Sequence, residues 1–136
     1  MIDNDFILKD TGLVKADAAG GVGGEAVIAD LGAGLVEGNM IVDVSAIEVA
    51  DNDEIYKISL QGSTSATFAS GIVDLAILEL GAAEVTGGDA DSAVGRYILP
   101  FRTEKNGTVY QYVREYCDVD GTLAAGINFT AHLTKK

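Results

Sequence analysis

The chain has 136 residues, 48% of them apolar, which is enough for one domain with a hydrophobic core and too apolar for a disordered tail. It carries 21 acidic and 9 basic residues, which gives a net charge of −12. Because few lysines and arginines are available to bind phosphate groups, we do not expect nucleic acid or anionic membranes as partners. No apolar run reaches the roughly 18 residues of a membrane helix, and no basic signal region opens the chain, so we expect synthesis in the cytoplasm.

The first 25 residues differ in composition from the rest. Phe6, Ile7 and Leu8 form a short apolar patch, and a run with four glycines in five positions follows at 20–24. Glycine loses much backbone entropy on folding, so this run predicts a flexible loop. We therefore divide the chain into an N-terminal arm and glycine-rich linker, 1–25, and a single β-sandwich domain, 26–136. The three apolar residues are the candidate protein-interface residues.

Two destinations are open to this arm. It can leave the sandwich and add as a strand to a neighbouring subunit or to another protein, where main-chain hydrogen bonds supply affinity. It can also fold back onto its own sandwich as an edge strand. The apolar patch on a glycine tether favours the first arrangement.

Strand patterns follow the arm. The segment 26–31 is short and apolar, and 40–49 alternates apolar and polar residues but changes phase, which predicts a β-bulge near Ala46. A turn is predicted at 51–53, and a second alternating strand places Tyr56, Ile58 and Leu60 on one side.

The sequence pattern in the middle of the chain fits more than one secondary structure. The segment 72–80 fits a helix or a buried strand, and its short length and flanking glycines favour the strand. Residues 86–95 are predicted to form a loop.

A tight hairpin turn is predicted at Asn106-Gly107, since both residue types accept left-handed dihedral angles. Extending that hairpin outwards pairs Phe101 with Tyr112 and Tyr97 with Tyr116, which would give a largely aromatic face on which Arg114 could stack. Pro100 cannot donate a ladder hydrogen bond, so its strand is predicted to be an edge strand or to carry a bulge.

The last strand, 125–134, alternates cleanly. Ile127, Phe129, Ala131 and Leu133 share one side, and His132 lies on the polar side. Several short strands separated by turn signals predict an all-β fold, an antiparallel β-sandwich of jelly-roll type with little or no helix.

One segment resembles a catalytic motif. Asp118-Val119-Asp120-Gly121-Thr122-Leu123 resembles the first motif of haloacid-dehalogenase-type phosphatases, in which the first aspartate is the nucleophile. That fold needs a buried parallel strand before the motif and most of its domain after it, but 112–116 alternates and 13 residues follow Leu123. A turn between antiparallel strands fits this segment better.

Other candidate sites also fit ordinary structure better. The acidic turns 51–53 and 89–91 lack the glycine and glutamate positions of an EF-hand, and 20–24 lacks the lysine of a P-loop. Cys117 is the lone cysteine, between acidic neighbours, and reads as a small core residue. We therefore expect no enzyme activity, no catalytic residues, no cofactor and no metal site.

Five segments, taken in order along the chain, resemble a family of capsid cement, or decoration, proteins of tailed bacteriophages. They are Ile28-Ala29-Asp30-Leu31-Gly32, the segment from Asp53 to Ser63, the segment from Gly95 to Phe101, Tyr112-Val113-Arg114, and the segment from Ala125 to Ala131.

The resemblance implies a jelly-roll-like sandwich whose subunits, often trimers, sit on the outside of the capsid and lock neighbouring major capsid proteins together. It implies a homotrimeric structural protein of the virion exterior, made in the host bacterial cytoplasm, with the major capsid protein as partner. The alternative is a carbohydrate- or receptor-binding β-sandwich module of a phage fibre or surface protein, because five tyrosines could line a glycan site.

Overall fold

The computed structural model of the protein describes residues 7–88 and 90–135. Within them the chain forms fourteen strands and one short helix. The short strands of the N-terminal third are β1 Ile7–Lys9, β2 Leu13–Val14, β3 Ala18–Ala19, β4 Gly21–Val22, β5 Glu25–Ala26 and β6 Ala29–Asp30. The remaining elements are β7 Glu37–Ile47, β8 Ile55–Ser63, β9 Val73–Gly81, α1 Ala83–Thr86, β10 Gly95–Arg102, β11 Glu104–Lys105, β12 Thr108–Val109, β13 Tyr112–Asp120 and β14 Ile127–Lys135.

The long strands form two antiparallel sheets, which confirms the predicted all-β sandwich. Sheet I has the order β1-β14-β7-β10, with β2 also paired to β14. Sheet II has the order β3-β13-β8-β9, with β6 also paired to β13. Two small hairpins, β4–β5 and β11–β12, complete the strands. Except for the β8–β9 hairpin, each connection between successive long strands crosses from one sheet to the other.

The core lies between the inner faces of the two sheets. Because side chains alternate across a strand, every second residue of each long strand points inward. The main buried apolar residues are Leu8, Met40, Val42, Val44, Tyr56, Ile58, Leu60, Val113, Cys117, Ile127, Phe129, Ala131 and Leu133. The predicted alternation of the strands at 40–49, 56–60 and 125–134 is confirmed, and 72–80 is a strand as predicted.

The predicted β-bulge is also present. Asn128 pairs with Ala46 and Phe129 with Val44, so Ser45 is the extra residue on β7. This bulge brings Ile47, at the opposite parity from Val44, back against the core.

The prediction of a hairpin at Asn106-Gly107 is confirmed at the turn. The predicted pairing of the strands that extend from it is wrong. Asn106 and Gly107 have φ angles of 54° and 85°, as a tight hairpin turn requires. The hairpin ends after the two-residue strands β11 and β12, and its flanking strands join different sheets. Tyr97 of β10 pairs with Val42 in sheet I, and Tyr116 of β13 pairs with Ser59 in sheet II.

The physical reason is the larger interface available in the sheets. β10 pairs with β7 over eight residues and β13 with β8 over nine, far more than a two-residue hairpin offers. β10 has β7 as its sole described partner, so the predicted edge position of Pro100 is confirmed.

The predicted N-terminal arm belongs to the sandwich from Ile7 onward, which corrects the boundary at 25/26. Ile7–Lys9 pairs with β14 of the same chain, and the side chain of Leu8 is fully buried in the core. The glycine run is a turn rather than a linker: Gly23 and Gly24, with φ angles of 62° and 84°, close the β4–β5 hairpin. Phe6 lies outside the described residues.

Candidate interaction surface

The outer face of sheet I carries an apolar row that crosses all four of its main strands. Ile7 pairs with His132, His132 with Ile41, and Ile41 with Ile98. Since directly paired residues point to the same side of a sheet, these four side chains lie next to one another. We call this set the outer row. It runs from the edge strand β10 to the edge strand β1.

The two ends of the outer row differ in exposure. Ile98 is 62% exposed at the β10 end, Ile41 is buried by its neighbours, and Ile7 is half-buried at the other end. His132 lies on the polar side of β14, as predicted, but is itself 9% exposed. Burial lowers the pKa of His132 below its usual 6.5, so the imidazole is neutral at neutral pH and the row carries no charge.

An ion pair borders the outer row. The Arg96 guanidinium donates to both carboxylate oxygens of Asp43, at 2.8 and 3.1 Å, from the neighbouring position of the β7–β10 ladder. These hydrogen bonds lower the pKa of Asp43. A groove of about 370 Å³ lies beside this pair, between Ile7, Thr130 and His132. The outer row is therefore an apolar stripe with a charged border.

Exposed apolar side chains continue beyond Ile98. Of the nine large apolar residues that are exposed in the described structure, five fall in the consecutive elements β9, α1 and β10 or directly before them. They are Ile72, Ile77, Val85, Val94 and Ile98. Both long strands here are sheet edges, since β9 has β8 and β10 has β7 as its sole described partner. Unpaired edges with apolar side chains favour association with another chain.

The structure places the three predicted interface residues, Phe6, Ile7 and Leu8, differently. Ile7 belongs to the outer row. Leu8 is part of the core and is unavailable to a partner while β1 is in place. Phe6 lies outside the described residues. Sequence patterns missed Ile41 and Ile98, because the row depends on the register of four strands that are distant in the chain.

The outer face of sheet II is organised around Arg114. The guanidinium lies 4.6 Å from the ring centre of Phe68 and 5.4 Å from that of Tyr116, and it donates to Gln61 at 2.9 Å. Arg114 was predicted to stack on aromatic residues of the hairpin, and it stacks on Tyr116 of its own strand and on the loop residue Phe68. The guanidinium covers one face of each ring.

Three carboxylates meet at one end of the sandwich, near the predicted turn at 51–53. Glu48, Asp51 and Glu54 each place an oxygen within 4.8 Å of the others. Glu48 accepts hydrogen bonds from the N–H groups of Ala124, Ala125 and Gly126, and Glu54 accepts from those of Asp51 and Asp53. The Glu48 and Glu54 carboxylates fasten loops, so backbone hydrogen bonds account for the positions of these two groups.

The phosphatase-like segment forms the end of β13 and the turn after it. β13 is antiparallel to β8, and Gly121 adopts a φ angle of 101° in the turn that leads to sheet I. The turn is fastened by Asp53, which accepts from the N–H and hydroxyl groups of Thr122. The predicted turn is confirmed, and it joins the two sheets. The expected lack of enzyme activity stays a prediction.

Cys117 and Glu115 both point into the core from β13. Burial raises the pKa of the Cys117 thiol to about 12, in keeping with its prediction as a small core residue. Glu115 is 1% exposed, and burial raises its pKa to about 8. Its inward position could have been read from the sequence, since Glu115 lies between Val113 and Cys117 at the same parity.

No protein-family model matches the chain, and no curated protein matches it. Within residues 7–88 and 90–135, no helix is long and apolar enough to cross a membrane.

Proposed function

We propose that this chain is a structural virion protein that binds the outside of a tailed-phage capsid and cements neighbouring major capsid subunits. The proposal joins the resemblance of five sequence segments to the surface described above. Those segments include residues of β6, β8, β10, β13 and β14, so the resemblance extends over both sheets of the sandwich.

The observation that carries the proposal is the outer row on sheet I. It is a stripe across the outer face of sheet I, with an exposed isoleucine at one end and an ion pair along its border. Protein-binding surfaces combine an apolar centre with a polar rim. The outer row fits this description, which supports binding to a protein.

The charge of the chain constrains the partner. With a net charge of −12, the protein favours a partner whose contact region is neutral or basic at its rim. The exterior location is what the resemblance implies, and the net charge agrees with it, because an acidic protein is repelled by packaged nucleic acid.

Co-sedimentation with capsid shells tests the proposal. The purified chain is mixed with empty shells of the phage that encodes it, and the shells are pelleted through a sucrose cushion. We expect the wild-type chain to pellet with the shells and Ile98→Asp to stay in the supernatant. The matched control is Leu35→Asp, which places the same charge at a leucine 47% exposed in the loop before β7, outside the outer row and outside the apolar residues of β9 and β10. We expect this control to bind as the wild type does.

The outcomes separate the partner from the surface. If the wild-type chain does not pellet with shells, the capsid proposal is wrong. If Ile98→Asp binds as well as the wild type, the capsid can still be the partner but the outer row is not the contact.

We also propose that the subunits form a homotrimer on the particle. A dimer with twofold symmetry in an image reconstruction of the particle would contradict this proposal.

The second candidate is a carbohydrate- or receptor-binding module. The stack of Phe68, Arg114 and Tyr116 on sheet II is the observation that favours it. Glycan sites use the open face of an aromatic ring, and Arg114 already covers one face of both rings. Screening the chain against a glycan array tests this candidate, with Tyr116→Ala as the variant that would lose a genuine signal. A bound glycan unaffected by Ile98→Asp would favour it over the capsid role.

A further inference from the structure

Glu115 is a buried carboxyl group without a polar partner. Its side chain is 1% exposed, and neither carboxyl oxygen has a hydrogen-bond partner among the described residues. No described cation lies within ion-pair distance of it. An ionised carboxylate in such a place is shielded from bulk solvent and has no compensating donor among the described residues, so the neutral acid is the form that suits this conformation.

The cover over Glu115 comes from the start of the chain. We call residues 7–26, which comprise β1 to β5, the N-terminal segment. Gly20 lies so close to Glu115 that a methyl group at its Cα would stand 2.6 Å from the carboxyl oxygen Oε1. The Gly20 N–H group also donates to the Glu115 carbonyl oxygen at 2.9 Å. The other flank of β13 is sealed by nine paired residues of β8.

Lys9 is the cation that lowers the pKa of Glu115 most. Its N–H donors already make hydrogen bonds to backbone carbonyl groups. The ammonium group donates to the carbonyl oxygens of Phe129 at 2.8 Å, Asp10 at 3.0 Å and Gly12 at 3.1 Å. A lysine has three N–H donors, so an ion pair with Glu115 would require at least one of these bonds to break. The Phe129 bond helps to hold β1 against β14.

The N-terminal segment is attached to the sandwich by short strands. Its strands are two or three residues long, whereas β7 and β8 have eleven and nine residues. A cavity of about 470 Å³ lies within it, between Lys9, Gly12, Gly20 and Glu25. Short ladders around a cavity open locally more easily than long central strands.

We propose that Glu115 is a proton-controlled latch. The N-terminal segment lies closed over the neutral carboxyl group, and it opens when the group loses its proton. Ionised Glu115 gains stability either by meeting water or by drawing Lys9 away from Phe129, and both changes undo the attachment of the segment to the sandwich.

The other charged groups near Glu115 modify the latch without replacing it. Burial raises the pKa of Glu115 to about 8, while the positive charges of Lys9 on β1 and Arg114 on β13 act in the opposite direction. Cys117, the other ionisable side chain on the inner face of β13 nearby, is neutral in this range because its pKa is about 12. The latch is therefore closed in mildly acidic solution and opens in mildly alkaline solution.

Hydrogen–deuterium exchange with mass spectrometry on the full chain tests the latch. Exchange is measured at about pH 6 and about pH 9 and corrected for the intrinsic pH dependence of amide exchange. We expect the corrected exchange rate of residues 7–26 to rise several-fold at the higher pH and to stay faster than that of β7 and β8, which exchange only when the whole sandwich opens. In Glu115→Gln, which cannot ionise, the rise should disappear. The control Glu79→Gln, at an exposed position of β9, should behave as the wild type.

The proposal fails if residues 7–26 exchange equally at both pH values in the wild type, or if Glu115→Gln keeps the rise. It also fails if residues 7–26 exchange no faster than β7 and β8 at the higher pH, because that result would mean that the sandwich opens only as a whole. If Glu115→Gln does not fold, Glu115→Leu removes the same ionisable group without adding a buried amide, and the wild-type profile alone still decides the first outcome.

Discussion

Glu115 makes the stability of the sandwich depend on pH in the opposite sense to the exposed carboxylates. Its pKa is about 8 in the folded chain and near the ordinary 4.5 when the chain unfolds. Between these values the folded state keeps a proton that the unfolded state has lost, so stability falls as the pH rises from 4.5 towards 8. The shift corresponds to at most about 5 kcal/mol.

We expect Glu115→Gln to remove this loss. The variant should be more stable than the wild type by about 1–3 kcal/mol near pH 8, because the buried amide still lacks hydrogen-bond partners and so recovers only part of the difference. Near pH 5 the variant should be no more stable than the wild type, because the cost of its buried amide is present at every pH and the wild type has lost little stability there. Urea unfolding at both pH values measures the effect. A wild-type stability that is constant from pH 5 to pH 8 would contradict the expectation.

Glu48 acts in the usual sense for a carboxylate. The hydrogen bonds it accepts from the N–H groups of Gly126, Ala125 and Ala124 lower its pKa, so its contribution is present at neutral pH and is lost as the pH falls through that lowered value. We expect Glu48→Ala to lower the thermal unfolding temperature at neutral pH, since three loop donors lose their acceptor. Asp51→Ala is the control, because the side chain of Asp51 is exposed at the same end of the sandwich. An equal loss in the two variants, measured by thermal unfolding, would count against this role for Glu48.

At the scale of elements, two glycines with positive φ angles distinguish conformational strain from close packing. Gly107 has a φ of 85° with open space around it, whereas Gly126 has a φ of 88° and its added methyl group would collide with the carbonyl oxygen of Val14. We expect Gly107→Ala to cost about 1 kcal/mol and Gly126→Ala at least twice as much. Chemical denaturation of both variants measures the difference. Equal costs would mean that β2 does not approach β14 as the fold requires.

The elements themselves could be predicted from sequence because their signals are local. Alternation placed Tyr56 and Phe129 on inward faces, and the phase change near Ala46 gave the bulge. The partner of each strand could not be predicted this way. The Asn106-Gly107 signal fixes four residues around a turn and says nothing about where β10 and β13 go afterwards, which depends on the apolar area that each sheet offers.

The N-terminal segment illustrates the same difference. Four glycines in five positions indicate conformational freedom, but two of them, Gly23 and Gly24, use that freedom to make a hairpin turn. Gly20 instead allows the chain to pass close to Glu115. Composition cannot distinguish a flexible linker from a tight turn packed against the sheet, because both require residues without a side chain.

At the scale of the whole molecule, the outer row arises from register rather than from any one stretch of sequence. Ile7, Ile41 and Ile98 lie on three separate strands and come together because β14 and β7 connect them. No local pattern encodes that juxtaposition. The exposed isoleucine at one end and the acidic character of the chain then act on association in opposite directions.

This opposition predicts how purified chains associate. Each copy carries a net charge of −12, and the screening length falls from about 30 Å at 0.01 M salt to about 10 Å at 0.1 M. Added salt should therefore reduce repulsion between copies while leaving the contact of apolar surfaces favourable. We expect sedimentation equilibrium to detect monomers at low salt and a growing trimer fraction at high salt, with Ile98→Asp displaced towards monomer at every salt concentration. Leu35→Asp carries the same added charge in the loop before β7 and should follow the wild type. Self-association that weakens with added salt would mean that ion pairs, rather than the apolar row, hold the copies together.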